Sequence, residues 1–277
     1  MTDRCPGGLD REFLERFARE AGRPGAVVTW LNHWSLLHAD WPALSRMRLI
    51  GFDGTLLQMV LHHHGHRVGR SSADMVLPIV LDEVLAPDDR VALIGAAPGV
   101  AAAAAGRLGR HPAIVFDGYG GLEALLADPS ALVDVAPRLV VIGLGAGLQE
   151  RVALQIHEWL PDAAVVTAGG WLDQLDHAEQ YFPGWVHRMR LGWAWRIVHE
   201  PRRLCGRYTI EAARFLLGAG ALVELLETIG PFNGLGIDRC TAPGPAGRWD
   251  GTGAAPAASA ALLRGASGAR GREPARG

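Results

Sequence analysis

Three aspartates in this 277-residue chain stand where a carboxylate can do proton chemistry: Asp53, Asp117 and Asp173. Each closes or closely follows an apolar run that meets glycine, in MRLIGFDG (47–54), AIVFDGYGG (113–121) and AGGWLD (168–173). A carboxylate within hydrogen-bond reach of a substrate hydroxyl can take its proton. Asp-Gly is also an ordinary turn pair, so spacing alone leaves both readings open. A second chemical element is LVVIGLGAGLQE (139–150), where a β-branched run stops at Gly143, Gly145 and Gly147. Gln149 and Glu150 follow as a helical pattern begins. A strand that opens through such a turn into a helix leaves backbone N–H groups at the sheet's carboxyl edge, where phosphates are commonly held. This turn is not the dinucleotide fingerprint, because Leu148 falls where the third glycine of Gly-x-Gly-x-x-Gly belongs. It is not a Walker loop, because no Gly-Lys-Ser/Thr follows.

Other groups carry weaker signals. Thr29 and Asn32 open the first strand-to-helix turn, where they either share the binding rim or cap the helix. The segment WVHRMRLGWAWRIVHEPRRLCGRY (185–208) interleaves Arg188, Arg190, Arg196, Arg202, Arg203 and Arg207 with Trp185, Trp193 and Trp195. Arginine forks suit diphosphates, and indoles suit a membrane interface. A solvated amphipathic helix would also account for the pattern. His62, His63, His64 and His66 crowd together, but successive residues on a helix point apart and no carboxylate or cysteine stands at matching spacing. No metal site is expected there. Cys5, Cys205 and Cys240 fit neither a zinc spacing nor a paired framework, which points to a reducing cytoplasm. The absence of a Gly-x-Ser-x-Gly elbow argues against a hydrolase.

These residues need a scaffold. A hydrophobic content of 49% and a charged content of 20% describe a globular protein with a large core, and a net charge of −2 offers no general attraction to nucleic acid. The N-terminal MTDRCPGGLDRE lacks the apolar centre of a signal peptide, and no apolar run reaches a membrane span. A soluble protein, or one on a membrane surface, is expected. Helical spacing over 9–21 leads into strands at 26–30 and 47–53, with helix at 32–44 between them and helices at 55–63 and 73–85 after them. Strands at 90–95, 113–116, 139–143 and 163–170 then alternate with helices at 100–108, 122–127 and 149–160. That order predicts an α/β fold, a Rossmann-like parallel sheet covered by helices on both faces, with the glycine-rich strand ends on one rim. The expected domains are a catalytic α/β unit (1–184), a helical Arg/Trp-rich appendage (185–230) and a disordered tail (231–277).

Taken together, the blocks resemble the WecG/TagA/CpsF glycosyltransferases of bacterial surface-polysaccharide assembly (glycosyltransferase family 26), from about Val27 to Tyr208. Thr29-Trp30-Leu31-Asn32 resembles the family's Thr-x-x-Asn turn, and Gly51-Phe52-Asp53-Gly54 its Asn-Ala-Asp-Gly block. Ser72-Ala73-Asp74-Met75 resembles Gly-Ser-Asp-Leu, and Ile94-Gly95-Ala96-Ala97-Pro98-Gly99 the Leu-Gly-x-x-Pro-Gly turn. Asp117-Gly118-Tyr119 matches Asp-Gly-Tyr, and residues 143–150 match Gly-Leu-Gly-x-Pro-x-Gln-Glu with Gly147 in place of proline. Gly169-Gly170-Trp171-Leu172-Asp173 and the Leu191–Arg196 and Glu200–Leu204 stretches complete the series.

The resemblance implies an inverting glycosyltransferase. The donor would be a UDP-sugar (N-acetylmannosamine-type or a related hexose), and the acceptor an undecaprenyl-diphosphate-linked sugar. The enzyme would work without a metal or other cofactor, in the cytoplasm, peripheral at the inner face of the plasma membrane. Membrane contact is expected through residues 185–227. Asp53 is the expected base with Thr29 beside it. Substrate is expected at Asn32, Gly95, Asp117, Gly143, Gly145, Gln149, Glu150, Gly169, Gly170 and Asp173. Arg196, Arg203 and Arg207 would stabilise the departing UDP. A catalytically divergent nucleotide-sugar-binding protein of the same fold is the alternative, and a homo-oligomer is left open.

Overall fold

Runs of valine, isoleucine and leucine with no polar face form the centre of the molecule. The computed structural model describes residues 11–176, 209–233 and 235–239. Strands β1 (Val27–Leu31), β2 (Leu49–Phe52), β3 (Val91–Gly95) and β6 (Ala164–Thr167) are buried at every position, and β5 (Leu139–Gly143) at all but its last. Strands buried on both faces require cover on both. With β4 (Ala113–Phe116), β7 (Phe232–Asn233) and β8 (Gly236–Asp238), the described strands form one eight-stranded sheet in the order β4-β3-β5-β6-β1-β2-β8-β7. The pairings from β4 through β2 are parallel; β8 runs antiparallel to β2 and β7 antiparallel to β8.

Alternation along the strands divides the apolar residues into two cores. Val27, Leu31, Ile50, Phe52, Ile94, Ile142 and Val165 meet one layer of helices: α2 (His33–His38), α3 (Trp41–Leu44), α4 (Thr55–His63), α7 (Gly120–Ala127), α8 (Ser130–Val135), α9 (Leu148–Trp159) and α11 (Ile210–Ile229). Val28, Trp30, Leu49, Leu93, Val141 and Val166 meet the other: α1 (Arg11–Ala21), α5 (Ala73–Ile79), α6 (Val100–Ala105) and α10 (Trp171–Asp176).

Local chemistry refines the expected elements. The helix expected over 32–44 is two helices, because the Asp40 carboxylate accepts from Ala43 N–H (2.9 Å) and caps a new start with Pro42 in its first turn. The helix expected to end near Leu85 passes Pro78 and widens into a π-turn at Val80–Val84. The expectation of disorder from residue 231 is corrected for 232–238. Asn233 Oδ1 accepts from the N–H groups of Leu235 and Gly236, closing a tight hairpin, and Ile237 is fully buried. Arg239 then reaches the carbonyls of Ser45 and Ile229. Strands this short show no period in a Gly/Pro-rich sequence. Likewise α11 joins the sheet's core through Phe215, Leu222, Val223 and Leu226. The remainder of the expected appendage, 185–208, and the tail from Thr241 lie outside the described residues.

Candidate active site

Because six strands run parallel, their carboxyl ends share one edge. At the end of β2, Asp53 N–H donates to Leu31 O (2.8 Å), which ties the turn to β1. The Asp53 carboxylate accepts from Gly54 N–H (2.7 Å) and lies 3.4 Å from Arg70 Nη2. Burial is the largest influence on this carboxyl and pushes it above the ordinary carboxylate range; Arg70 and Gly54 N–H pull against that, and Asp74 adds to it. About a third of the side chain, 35%, still reaches solvent. A partly desolvated carboxylate that remains accessible has the raised proton affinity a base needs. Arg70 is held from behind, since Ser71 N–H donates to Phe52 O (3.0 Å). Asn32 stands beside this turn, a Cβ on Gly54 lying 3.5 Å from its own. Its Oδ1 accepts from Trp34 and Ser35 N–H (3.0 and 2.9 Å), and it thus caps α2.

The remaining strand ends form a second group. Ala96, at φ +59°, is its hub: its N–H donates to Gly143 O (3.1 Å) and its carbonyl accepts from Gly118 N–H (2.9 Å). Non-glycine residues occupy that region at a cost that tends to be accepted at functional sites. Ala168 N–H donates to Ile142 O (2.7 Å), and a Cβ on Gly143 would lie 2.7 Å from Gly169 O, so the turns after β5 and β6 touch. Gly147 has φ +88°, a backbone that proline, fixed near −65°, does not adopt. Its N–H donates to Glu150 Oε2 (2.5 Å), while Gln149 Nε2 donates to Glu150 Oε1 (3.1 Å). Glu150 is fully buried, and burial raises its carboxyl above the ordinary range. It closes the glycine loop from inside. Gln149 is also buried, and its Oε1 has no hydrogen-bond partner among the described residues.

The structure therefore gathers Asp53 with Asn32, and Gly95, Gly143 and Gly169 with each other. From β2 to β5 is three strand spacings, roughly 14 Å at about 4.8 Å each, so a ligand touching both groups must be elongated. Asp117, at the end of edge strand β4, is five spacings from β2, roughly 24 Å. It accepts from the N–H groups of Tyr119 and Gly121 (2.9 and 3.3 Å) and shapes its own turn. Gly145 lies in the β5 turn, and Gly170 and Asp173 at the start of α10, with Asp173 exposed. Thr29 is fully buried, bonds Thr167 Oγ1 at 2.7 Å, and by strand alternation points away from the Trp30 face against which α1 and α5 pack. Arg196, Arg203 and Arg207 lie outside the described residues. Arg70 and Thr167 were not anticipated. Arg70's signal was its place two residues before the Ser72–Met75 block, whereas Thr167 had none. Among the described residues no cluster of three or more metal-ligating side chains occurs, and no helix is long and apolar enough to cross a membrane.

Comparison with known proteins identifies the family. The chain is 26% identical over 208 residues to a UDP-Gal:alpha-D-GlcNAc-diphosphoundecaprenol beta-1,4-galactosyltransferase of Shigella boydii, covering 72% of this chain and 87% of that one. The model of the WecG/TagA/CpsF glycosyl transferase family matches residues 9–228, a span that takes in the parallel sheet, both groups of strand-end turns and nearly all of α11. The chain is a glycosyltransferase and belongs to the WecG/TagA/CpsF family.

Proposed function

We propose that this glycosyltransferase moves a hexose from a UDP-sugar to a lipid-diphosphate-linked sugar, with inversion at the anomeric carbon. The observation that carries the reading is Asp53: a partly desolvated carboxylate at the rim of a parallel sheet, about 14 Å across the rim from a glycine turn opening a helix. In the proposed step an acceptor hydroxyl oxygen attacks the anomeric carbon while Asp53 takes its proton. The bond from that carbon to the UDP oxygen breaks, and UDP leaves with the electron pair. Such a base contributes about a hundredfold or more. Charge growing on UDP is met by backbone N–H groups of the β5 turn, with Gln149 beside them, and by Arg196, Arg203 and Arg207 of the basic segment. This route calls for no resident metal.

The acceptor's lipid tail would hold the enzyme at the inner face of the plasma membrane. Support comes from α11, where Ile210, Leu216 and Leu217 are 64%, 53% and 90% exposed, directly after the Arg/Trp-rich segment. The relative's substrates define the first assay. UDP-sugars are screened by mass spectrometry against a short-chain lipid-diphosphate-linked N-acetylglucosamine, with Asp53→Asn as control. A lipid-linked disaccharide formed by the wild type and lost in the variant is expected. Turnover unchanged in the variant removes Asp53 from the mechanism, and UDP binding without product from any sugar supports a binding-only protein.

A further inference from the structure

Two glycines near Asp53 are filled by rings from α1. A Cβ on Gly69 would lie 2.5–2.8 Å from the Cζ, Cε2 and Cε1 atoms of Phe13. A Cβ on Gly51 would lie 2.6 Å from Phe17 Cζ, 2.7 Å from Trp30 Cδ1 and 2.5 Å from Ser71 Oγ. Distances below 3 Å leave no room for a side chain at either place, so the rings occupy the volume that side chains at 51 and 69 would need. The rings also support each other: Phe13 and Phe17 centroids are 6.3 Å apart, and Phe17 and Trp30 are 5.8 Å apart. All three are at least nine-tenths buried.

Their targets bracket Arg70. Gly69, on one side, lies against Phe13. Ser71, on the other, is bonded through its N–H to Phe52 O, and its hydroxyl crowds the same hollow as Phe17. Arg70 thus leaves a backbone pinned at both neighbours, and its guanidinium reaches the Asp53 carboxylate at 3.4 Å. We propose that Phe13 and Phe17 are positioning residues for catalysis: by seating residues 69–71 on the end of β2 they hold Arg70 against Asp53. The proposal rests on the reading of Asp53 as the base. Gly51 stands where the resembling block has asparagine, and Ser71, Phe17 and Trp30 occupy the space a side chain there would need.

The test reads the Arg70–Asp53 coupling in the full chain without needing turnover. The Asp53 carboxyl is titrated by carbon-13 NMR, its signal identified by loss in Asp53→Asn, and the charged groups acting on it are Arg70 and Asp74. In the wild type, Arg70→Gln is expected to raise the Asp53 midpoint, because a favourable cation is removed. In a Gly69→Ala background, where the new methyl collides with the Phe13 ring, that upward shift is expected to shrink at least about twofold. Phe13→Leu, a gentler change, is expected to weaken the shift alone. An undiminished shift in Gly69→Ala and Phe13→Leu overturns the positioning role. Where a productive donor is found, the acid limb of kcat/KM should move with the NMR midpoint. An NMR result as expected in a protein without turnover would separate this proposal from the transferase reading.

Discussion

Thr29 and Thr167 share a hydroxyl hydrogen bond of 2.7 Å across β1 and β6, sealed from solvent beneath the rim. Thr29→Val would leave the Thr167 hydroxyl buried without that partner, at about 1–3 kcal/mol, whereas Thr29→Val/Thr167→Val should recover most of the loss. Denaturant unfolding measures both. Transfer by folded Thr29→Val should fall less than about tenfold, below the scale of a lost proton-transfer group. A hundredfold loss in a stable variant would restore Thr29 to the catalytic groups.

Asp53 sets opposite pH trends for activity and stability. As the proposed base, its raised carboxyl must be deprotonated to act, so kcat/KM should climb with pH through a midpoint above the ordinary carboxylate range. The folded state keeps this proton where the unfolded chain has released it. The group's stabilising contribution is therefore full below the ordinary carboxylate value and lost as pH rises through the raised one. Asp53→Asn should then melt no lower than wild type near neutral pH, while transfer drops about a hundredfold or more.

Gly147→Pro tests the glycine loop. It asks for φ near −65° where the chain has +88° and deletes the N–H that Glu150 accepts. Losses of about 3 kcal/mol or more in stability are expected, with weaker UDP binding by calorimetry. Gly147→Ala keeps the N–H but strains the backbone and sets a Cβ 2.9 Å from His38 O, so it should fall between the two. Wild-type UDP affinity in a folded Gly147→Pro would free this loop from the donor.

Ile237 anchors the C-terminal hairpin beside β2. Ile237→Ala should cost about 2–5 kcal/mol. A chain ending at residue 230 should melt lower still and self-associate, because the β2 edge would be bare. Light scattering during a thermal ramp reads both effects.

The exposed leucines of α11 offer a membrane test. Leu216→Ser/Leu217→Ser removes apolar surface already in contact with water, so the melting temperature should hold. Binding to vesicles rich in anionic phospholipid should drop several-fold. Unchanged binding would assign the membrane contact elsewhere.

The parallel sheet, its β-branched strands and the glycine-rich carboxyl edge were legible in the chain itself. Period, turn residues and apolar runs are local properties, and β4 and β5 fall on the residues expected of them. Asp53, Asn32 and the loop through Glu150 could be listed as candidates from their neighbours, but only the family resemblance set Asp53 apart from Asp117 and Asp173. The hairpin at 232–238 could not, since such short strands gain their stability from β2 rather than from any pattern of their own. The third dimension alone decided which candidates meet. Strand order carries Asp117 five positions from Asp53, and alternation turns Thr29 to the other face. Arg70 reaches Asp53 from 17 residues away, beside two glycines whose hollows are filled by Phe13 and Phe17 from α1. Packing of that kind joins segments with no common period, so only the folded chain displays it.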